Sequence, residues 1–349
     1  MRARATVATT LAWVVLAACG DDDRPPGAQG ALPTDASAPS ADAGRRDDAA
    51  PLPFDAGAPT WVARASLPEP RQEVAVVAAD GRVWVIGGFD AAPRQLPSLL
   101  VYDPRTDTWT PKAALPEPLH HIHGAVVGRR IYALGALGAG FAAKNVVLAY
   151  DIDADAWTPR APMPQGTERG GGMVATLGDV VYVAGGLRGG AVDDFSAYDT
   201  TRDAWETLPP LPVARDHGVA AAASGKVFVI GGRGGSIGGH TARVDVYDPA
   251  TRTWARGAPM PTSRGGMAAS VARGLVLVAG GEGDAQRTSG VFVEVEAYDP
   301  QKDEWYTLPP MRTPRHGTGA ATIDDVVYVP GGATTQGFGA TDVVESLAF

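Results

Sequence analysis

Arg82-Val83-Trp84-Val85-Ile86-Gly87-Gly88 is the stretch whose reading decides the fold. Its alternating, β-branched run has the period of a strand. Two glycines close it, so the backbone there can take positive φ without a Cβ penalty and can lie close to its neighbours. The arrangement returns with Tyr132, Tyr182, Phe228, Leu277 and Tyr328 in the place of Trp84. The glycine pairs are Gly185-Gly186, Gly231-Gly232, Gly280-Gly281 and Gly331-Gly332, with Gly135-Ala136 as an imperfect second copy. Tryptophan supplies an independent ruler near 48 residues: Trp61, Trp109, Trp157, Trp205, Trp254 and Trp305. Each of the last five stands seven residues after a tyrosine (Tyr102, Tyr150, Tyr198, Tyr247, Tyr298), and each tyrosine is followed by aspartate.

One period accommodates four strands of about 5–6 residues with their turns. A lone four-stranded sheet leaves both faces bare, so copies must stack, and radial stacking closes a propeller. The glycine pair, the Tyr-Asp and the spaced Trp together resemble the kelch repeat; the dipeptide of the Trp-Asp repeat is absent. The resemblance covers Thr60 to Phe349 and implies an all-β, six-bladed β-propeller of four-stranded antiparallel kelch blades. Trp61 precedes the first glycine pair, whereas Gly331-Gly332 is followed by Val344 to Leu347 and no tryptophan. The N-terminal strand is therefore expected to close the last blade.

Ahead of the repeats, Arg2 and Arg4 precede an apolar run from Ala5 to Ala18 and then Cys19. This is the order of a secretion signal, and the run is shorter than the roughly 20 residues that span a bilayer. Leu16-Ala17-Ala18-Cys19 resembles the lipobox of bacterial lipoproteins, which implies acylation of Cys19 and attachment to a membrane outside the cytoplasm. Cys19 is the chain's one cysteine, so no intramolecular disulfide competes for it. From Gly20 to Ala58 the chain is rich in Ala, Asp, Pro and Gly, with eight Asp against three Arg, and cannot bury enough apolar surface to offset its entropy. The organisation expected is a signal peptide over 1–18, an acylated cysteine and disordered linker over 19–58, and a propeller over 59–349.

The formal charge of −9 and the lack of a basic run argue against a nucleic-acid partner. Seventeen residues before each glycine pair's last member stands Arg71, Arg169, Arg215, Arg264 or Arg315, with Leu119 in the second copy. That position begins the innermost strand of a kelch blade, so these side chains are expected to ring the channel mouth. His121, His217 and His316 are expected nearby, with Glu73, Glu168 and Asp216. Arg94, Arg188, Arg233, His240, Glu282 and Arg287, after the second strands, should share that face. In adaptor-type kelch domains arginines at this position help to bind acidic peptides, which the resemblance implies here; the structural alternative is that each bonds loop carbonyls or a neighbouring acid.

His120, His121 and His123 could bind a transition metal, but no second motif pairs with them, and they read as histidines of a solvated loop; no metal or cofactor is assigned. Asp151, Asp153 and Asp155 echo a calcium loop without its glycine or its closing glutamate, and read as turn residues. Gly234 to Gly238 matches G-x-S-x-G, yet a strand pattern follows where the hydrolase turn needs a helix. The copper oxidases built on kelch propellers need a cysteine crosslinked to tyrosine, and this propeller contains no cysteine. Two readings of function remain. One is a binding module for protein, peptide or glycan. The other is an enzyme resembling the sialic acid mutarotases, exported six-bladed kelch proteins that need only acid-base side chains at the channel mouth.

Overall fold

The alternating runs form strands in which every second residue faces a neighbouring sheet: Ala75, Val77 and Ala79 are buried while Val76 and Ala78 are less so. The computed structural model describes residues 59–348, so the signal peptide, Cys19 and the linker lie outside the described residues. Twenty-four strands form six antiparallel sheets of four. The first blade contains β2 (Ala75–Ala79), β3 (Arg82–Ile86), β4 (Leu99–Asp103) and β5 (Thr108–Lys112), paired in chain order. Four further blades repeat that order, and the inner strands of successive blades meet around a central channel.

The sixth blade is closed as expected. Its outer strand is β1 (Thr60–Arg64), paired with β24 (Val344–Ala348) so that Trp61 faces Leu347. Packing takes place between blades, and each of the six junctions has its own apolar cluster; the one between the fifth and sixth blades contains Trp61, Leu277, Tyr306 and Leu347.

The repeated aromatics hold those junctions. The indole N–H of each of the six tryptophans of the repeat ruler donates to a carbonyl of the preceding blade, at 2.8–3.0 Å: Trp109 to Ala65, Trp157 to Ala113, Trp205 to Ala161, Trp254 to Pro209, Trp305 to Ala258 and, across the chain ends, Trp61 to Pro309. The Tyr150 hydroxyl donates to Asp155 at 2.7 Å, and Asp155 also accepts the Ala113 N–H of the blade before. Asp155 is thus a turn residue and a clasp, as Asp107, Asp203 and Asp303 are in their own repeats.

The glycine pairs are where blades come closest. A Cβ on Gly185, which sits at φ +58, would lie 2.2 Å from the Arg215 carbonyl, and the Gly186 N–H donates to that carbonyl at 3.0 Å. In the second blade Ala136 replaces the second glycine. There the strands run on past the marker, as β7 (Arg130–Leu137) and β8 (Ala143–Asp151), through a register shift between Leu134 and Ala136.

Candidate functional site

Two residues beyond each repeated arginine the chain turns into the inner strand, and there the six blades are tied into a closed hoop. The Glu73 N–H donates to Gly317 O, His121 to Glu73, Gly171 to His121, His217 to Gly171, Gly266 to His217 and Gly317 to Gly266. Five of these bonds measure 2.7–3.0 Å. All six residues have φ between +50 and +71. Glycine takes that conformation freely, whereas a residue with a Cβ gives up roughly 1–2 kcal/mol. Three hoop positions are glycine; the other three, Glu73, His121 and His217, retain a costly side chain at a site where glycine fits.

Those three side chains meet inside the hoop. His121 Nε2 lies 3.0 Å from His217 Nε2 and 3.3 Å from Glu73 Oε2. Gly171 makes room for the two rings, since a Cβ there would stand 3.3 Å from His121 and 3.4 Å from His217. Hydrogen bonds assign the protons. His120 Nε2 stands 3.1 Å from Gly138 O, which can only accept, so it carries the hydrogen. His120 Nδ1 therefore accepts from His121 Nδ1 at 2.6 Å, which leaves His121 Nε2 bare. His217 Nδ1–H donates to Asp216 at 2.5 Å, so that in the neutral ring His217 Nε2 is bare as well. Burial, and then the neighbouring His217, hold the His121 imidazole well below its ordinary range, so the ring is neutral.

The cluster continues outward. Burial would raise Asp216, but its hydrogen bond to His217 and the guanidinium of Arg233 outweigh it and hold the carboxyl below its usual value. Arg233 Nε donates to Asp216 at 3.1 Å, and Arg233 Nη1 donates to Glu282. The Glu282 carboxylate accepts the Gly337 N–H and lies 3.6 Å from His316 Nδ1. Above this polar floor stand Phe89, Phe141 and Phe338. Phe89 is buried and stacks 4.1 Å from His120, while Phe141 and Phe338 flank it at 6.1 and 5.7 Å and are about half exposed.

The structure corrects two placements. Arg71, Arg169, Arg215, Arg264 and Arg315 do not ring the mouth: all are 0–1% exposed and lie within their blades. Arg169 donates to the carbonyls of Gly185, Val183 and Thr167 at 2.7–2.8 Å. Arg264 repeats this with Gly280, Val278 and Thr262 and adds Glu296 at 2.5 Å. Asp245 and Glu345 play the acid's part for Arg215 and Arg315. A guanidinium sealed in this way fixes the glycine pair of its own blade and offers nothing to an incoming anion.

The second correction concerns His120, His121 and His123, which are buried and not on a solvated loop. His123 accepts the Gly172 N–H and donates to Leu134 O, which makes it structural, and burial lowers it to about 3. Among the other expected residues, Glu73, Asp216, Arg233, Glu282 and His316 join the cluster. Glu168 turns back to the Gly166 N–H, Arg94 pairs with Asp90, Arg188 with Asp194, Arg287 with Asp284, and His240 bonds Ser263. Sequence reading missed the three phenylalanines and the variability of the hoop position. Two surface clefts of about 530 and 440 Å³ lie by the hairpin turns around Arg129, away from the cluster, and are lined by solvated ion pairs.

Residues 83–343 match the family described as the Attractin/LZTR1 beta-propeller. No curated protein matches the chain. Among solved structures, the one titled "Structure of YjhT" is similar over 80% of this chain and 96% of its own, with a TM-score of 0.65 and 17% identity, a likeness of fold.

Proposed function

The chain belongs to the Attractin/LZTR1 β-propeller family, and from that footing we propose that it is a membrane-tethered, extracytoplasmic binding module whose ligand, a glycan, seats at the mouth of the propeller channel. The observation that carries this reading is the pairing of half-exposed Phe141 and Phe338 with a floor of Glu73, His121, His217 and Asp216. Aromatic faces cover the apolar face of a sugar ring, while carboxylates and imidazoles bond its hydroxyls. The burial of the repeated arginines removes the cations an acidic peptide would need. A lipid on Cys19 and the acidic linker would hold the domain away from the membrane surface.

The bond between Asp216 and His217 favours a second reading, anomer interconversion. His217 Nε2 could take the anomeric hydroxyl proton while a protonated group opposite it delivers one to the ring oxygen, which opens the ring and lets it close on either face. A glycan array on the full chain, followed by calorimetry on the ligand it identifies, tests the binding reading. Phe141→Ala and Phe338→Ala should each weaken binding by about 1 kcal/mol, roughly five-fold. No glycan retained, or binding as tight as the parent's in both variants, overturns it. Faster NMR line exchange between anomers, lost in His217→Gly, would move the chain from binder to enzyme.

A further inference from the structure

We propose that Glu73, His121 and His217 form a three-ligand site for one divalent transition-metal ion such as Zn²⁺. These side chains are also the floor of the proposed glycan site, but the inference is read by metal binding alone and stands or falls apart from that reading. Three acceptor atoms from the first, second and fourth blades converge within 4.8 Å of one another. The hydrogen bonds that fix the tautomers leave both Nε2 lone pairs pointed at each other across 3.0 Å, with the Glu73 carboxylate 3.3 Å from the first. Atoms this close need either a proton on one Nε2 or a metal ion between them.

Two of the spacings, 3.0 and 3.3 Å, suit an ion with short bonds, and the third pair, Glu73 and His217, lies within 4.8 Å and would draw closer around the ion. Ligands about 2.0–2.1 Å from a tetrahedral zinc stand about 3.3 Å from one another. Two imidazoles and one carboxylate are a borderline donor set that favours Zn²⁺, Co²⁺ or Ni²⁺ over Mg²⁺ and Ca²⁺, which take mostly oxygen. Behind the ligands stand the partners that metal-bound histidines require: Asp216 accepts from His217 Nδ1 at 2.5 Å, and His120 accepts from His121 Nδ1 at 2.6 Å. The exposed fraction of the three ligand side chains is small, 12% for Glu73 and 5% for each histidine, and it faces the channel mouth. The fourth position of a tetrahedron is left for water or a ligand oxygen. Glycine at hoop positions 171, 266 and 317 crowds none of this, and each donates the same main-chain bond as its ligand-bearing counterparts.

That symmetry supplies the control. His121→Gly and His217→Gly place at each position the residue that three sibling positions already carry, so the hoop and the fold persist. The full chain, stripped with chelator, is titrated with Zn²⁺ by calorimetry and with Co²⁺ by visible absorption, and each variant's melting is recorded alongside. The expected result is one ion per chain and a tetrahedral cobalt band that either glycine variant abolishes. Asp216→Asn should weaken affinity about 10–100-fold, and Ca²⁺ should not compete. A parent chain that binds neither Zn²⁺ nor Co²⁺, so that a shared proton alone separates the imidazoles, overturns the proposal. So does a folded His217→Gly variant that binds as the parent does.

Discussion

Replacing Arg264 by leucine should destabilise the propeller without touching its ligand face. The side chain is fully buried and donates to Gly280 O at 2.8 Å, Thr262 O at 2.8 Å, Val278 O at 3.3 Å and Glu296 at 2.5 Å. Removing it strands a carboxylate that is 3% exposed, and breaking a buried pair from one side costs about 3–5 kcal/mol. The three carbonyls can be expected to recover part of their loss from water or relaxation, so the carboxylate dominates. With an unfolding entropy of ~2.1 cal/mol/K per residue over residues 59–348, the melting temperature should fall by about 5–8 °C. Adding Glu296→Leu removes the stranded charge, so the double variant should melt closer to the parent than Arg264→Leu does. Differential scanning calorimetry on parent, both single variants and the double closes the cycle. If Arg264→Leu melts with the parent and instead loses affinity for a ligand, the arginine belongs to a binding surface and the reasoning fails. A double variant less stable than either single variant would refute the stranded-charge account.

Two further outcomes follow from the chain's first sixty-odd residues. Deleting Thr60 to Arg64 removes the strand paired with β24 and the indole that donates to Pro309, so stability should drop by several kcal/mol, whereas deleting Gly20 to Pro53 should shift thermal unfolding little; equal shifts would defeat the closure role of Trp61. Cys19→Ser should abolish labelled fatty-acid incorporation and release the protein from the membrane fraction, and identical fractionation of variant and parent would defeat the anchor.

What the sequence displayed was whatever the repeat copies six times. Trp and the glycine pair recur because each makes the same bond to the neighbouring blade, as Trp157 does to Ala113, and the Asp after each Tyr caps its own turn, so the period and the closure through Trp61 were legible. The arginines obey the same logic: their fixed offset of seventeen marks a structural place, and Arg169, Arg215 and Arg264 bond the first glycine of their own pair. Their position at the start of the innermost strand points to the mouth, but the side chains turn back into the blade. Repetition marks structure, and a recognition site on a repeat scaffold lies where copies differ. The residue two beyond each arginine, or beyond Leu119 in the second copy, reads Glu, His, Gly, His, Gly, Gly. That irregularity was visible, but the meeting of His121 with His217, 96 residues apart, depends on which blades face each other across the ring. The aromatic rim was hidden for a different reason: Phe89, Phe141 and Phe338 come from loops of three blades and share no spacing.

The hoop of six main-chain bonds divides labour between backbone and side chain. Because N–H and C=O atoms supply all its links, each of the six inward positions can change residue without reopening the ring, at the cost of the left-handed backbone conformation and of room taken from its neighbours, as a Cβ at Gly317 would take from Glu73. A change of one codon at Gly171, Gly266 or Gly317 could therefore place a new functional group in the channel, and a change at Glu73, His121 or His217 could remove one. The propeller thus has six independent sockets on a common frame, and related chains can diverge in chemistry while they keep their architecture.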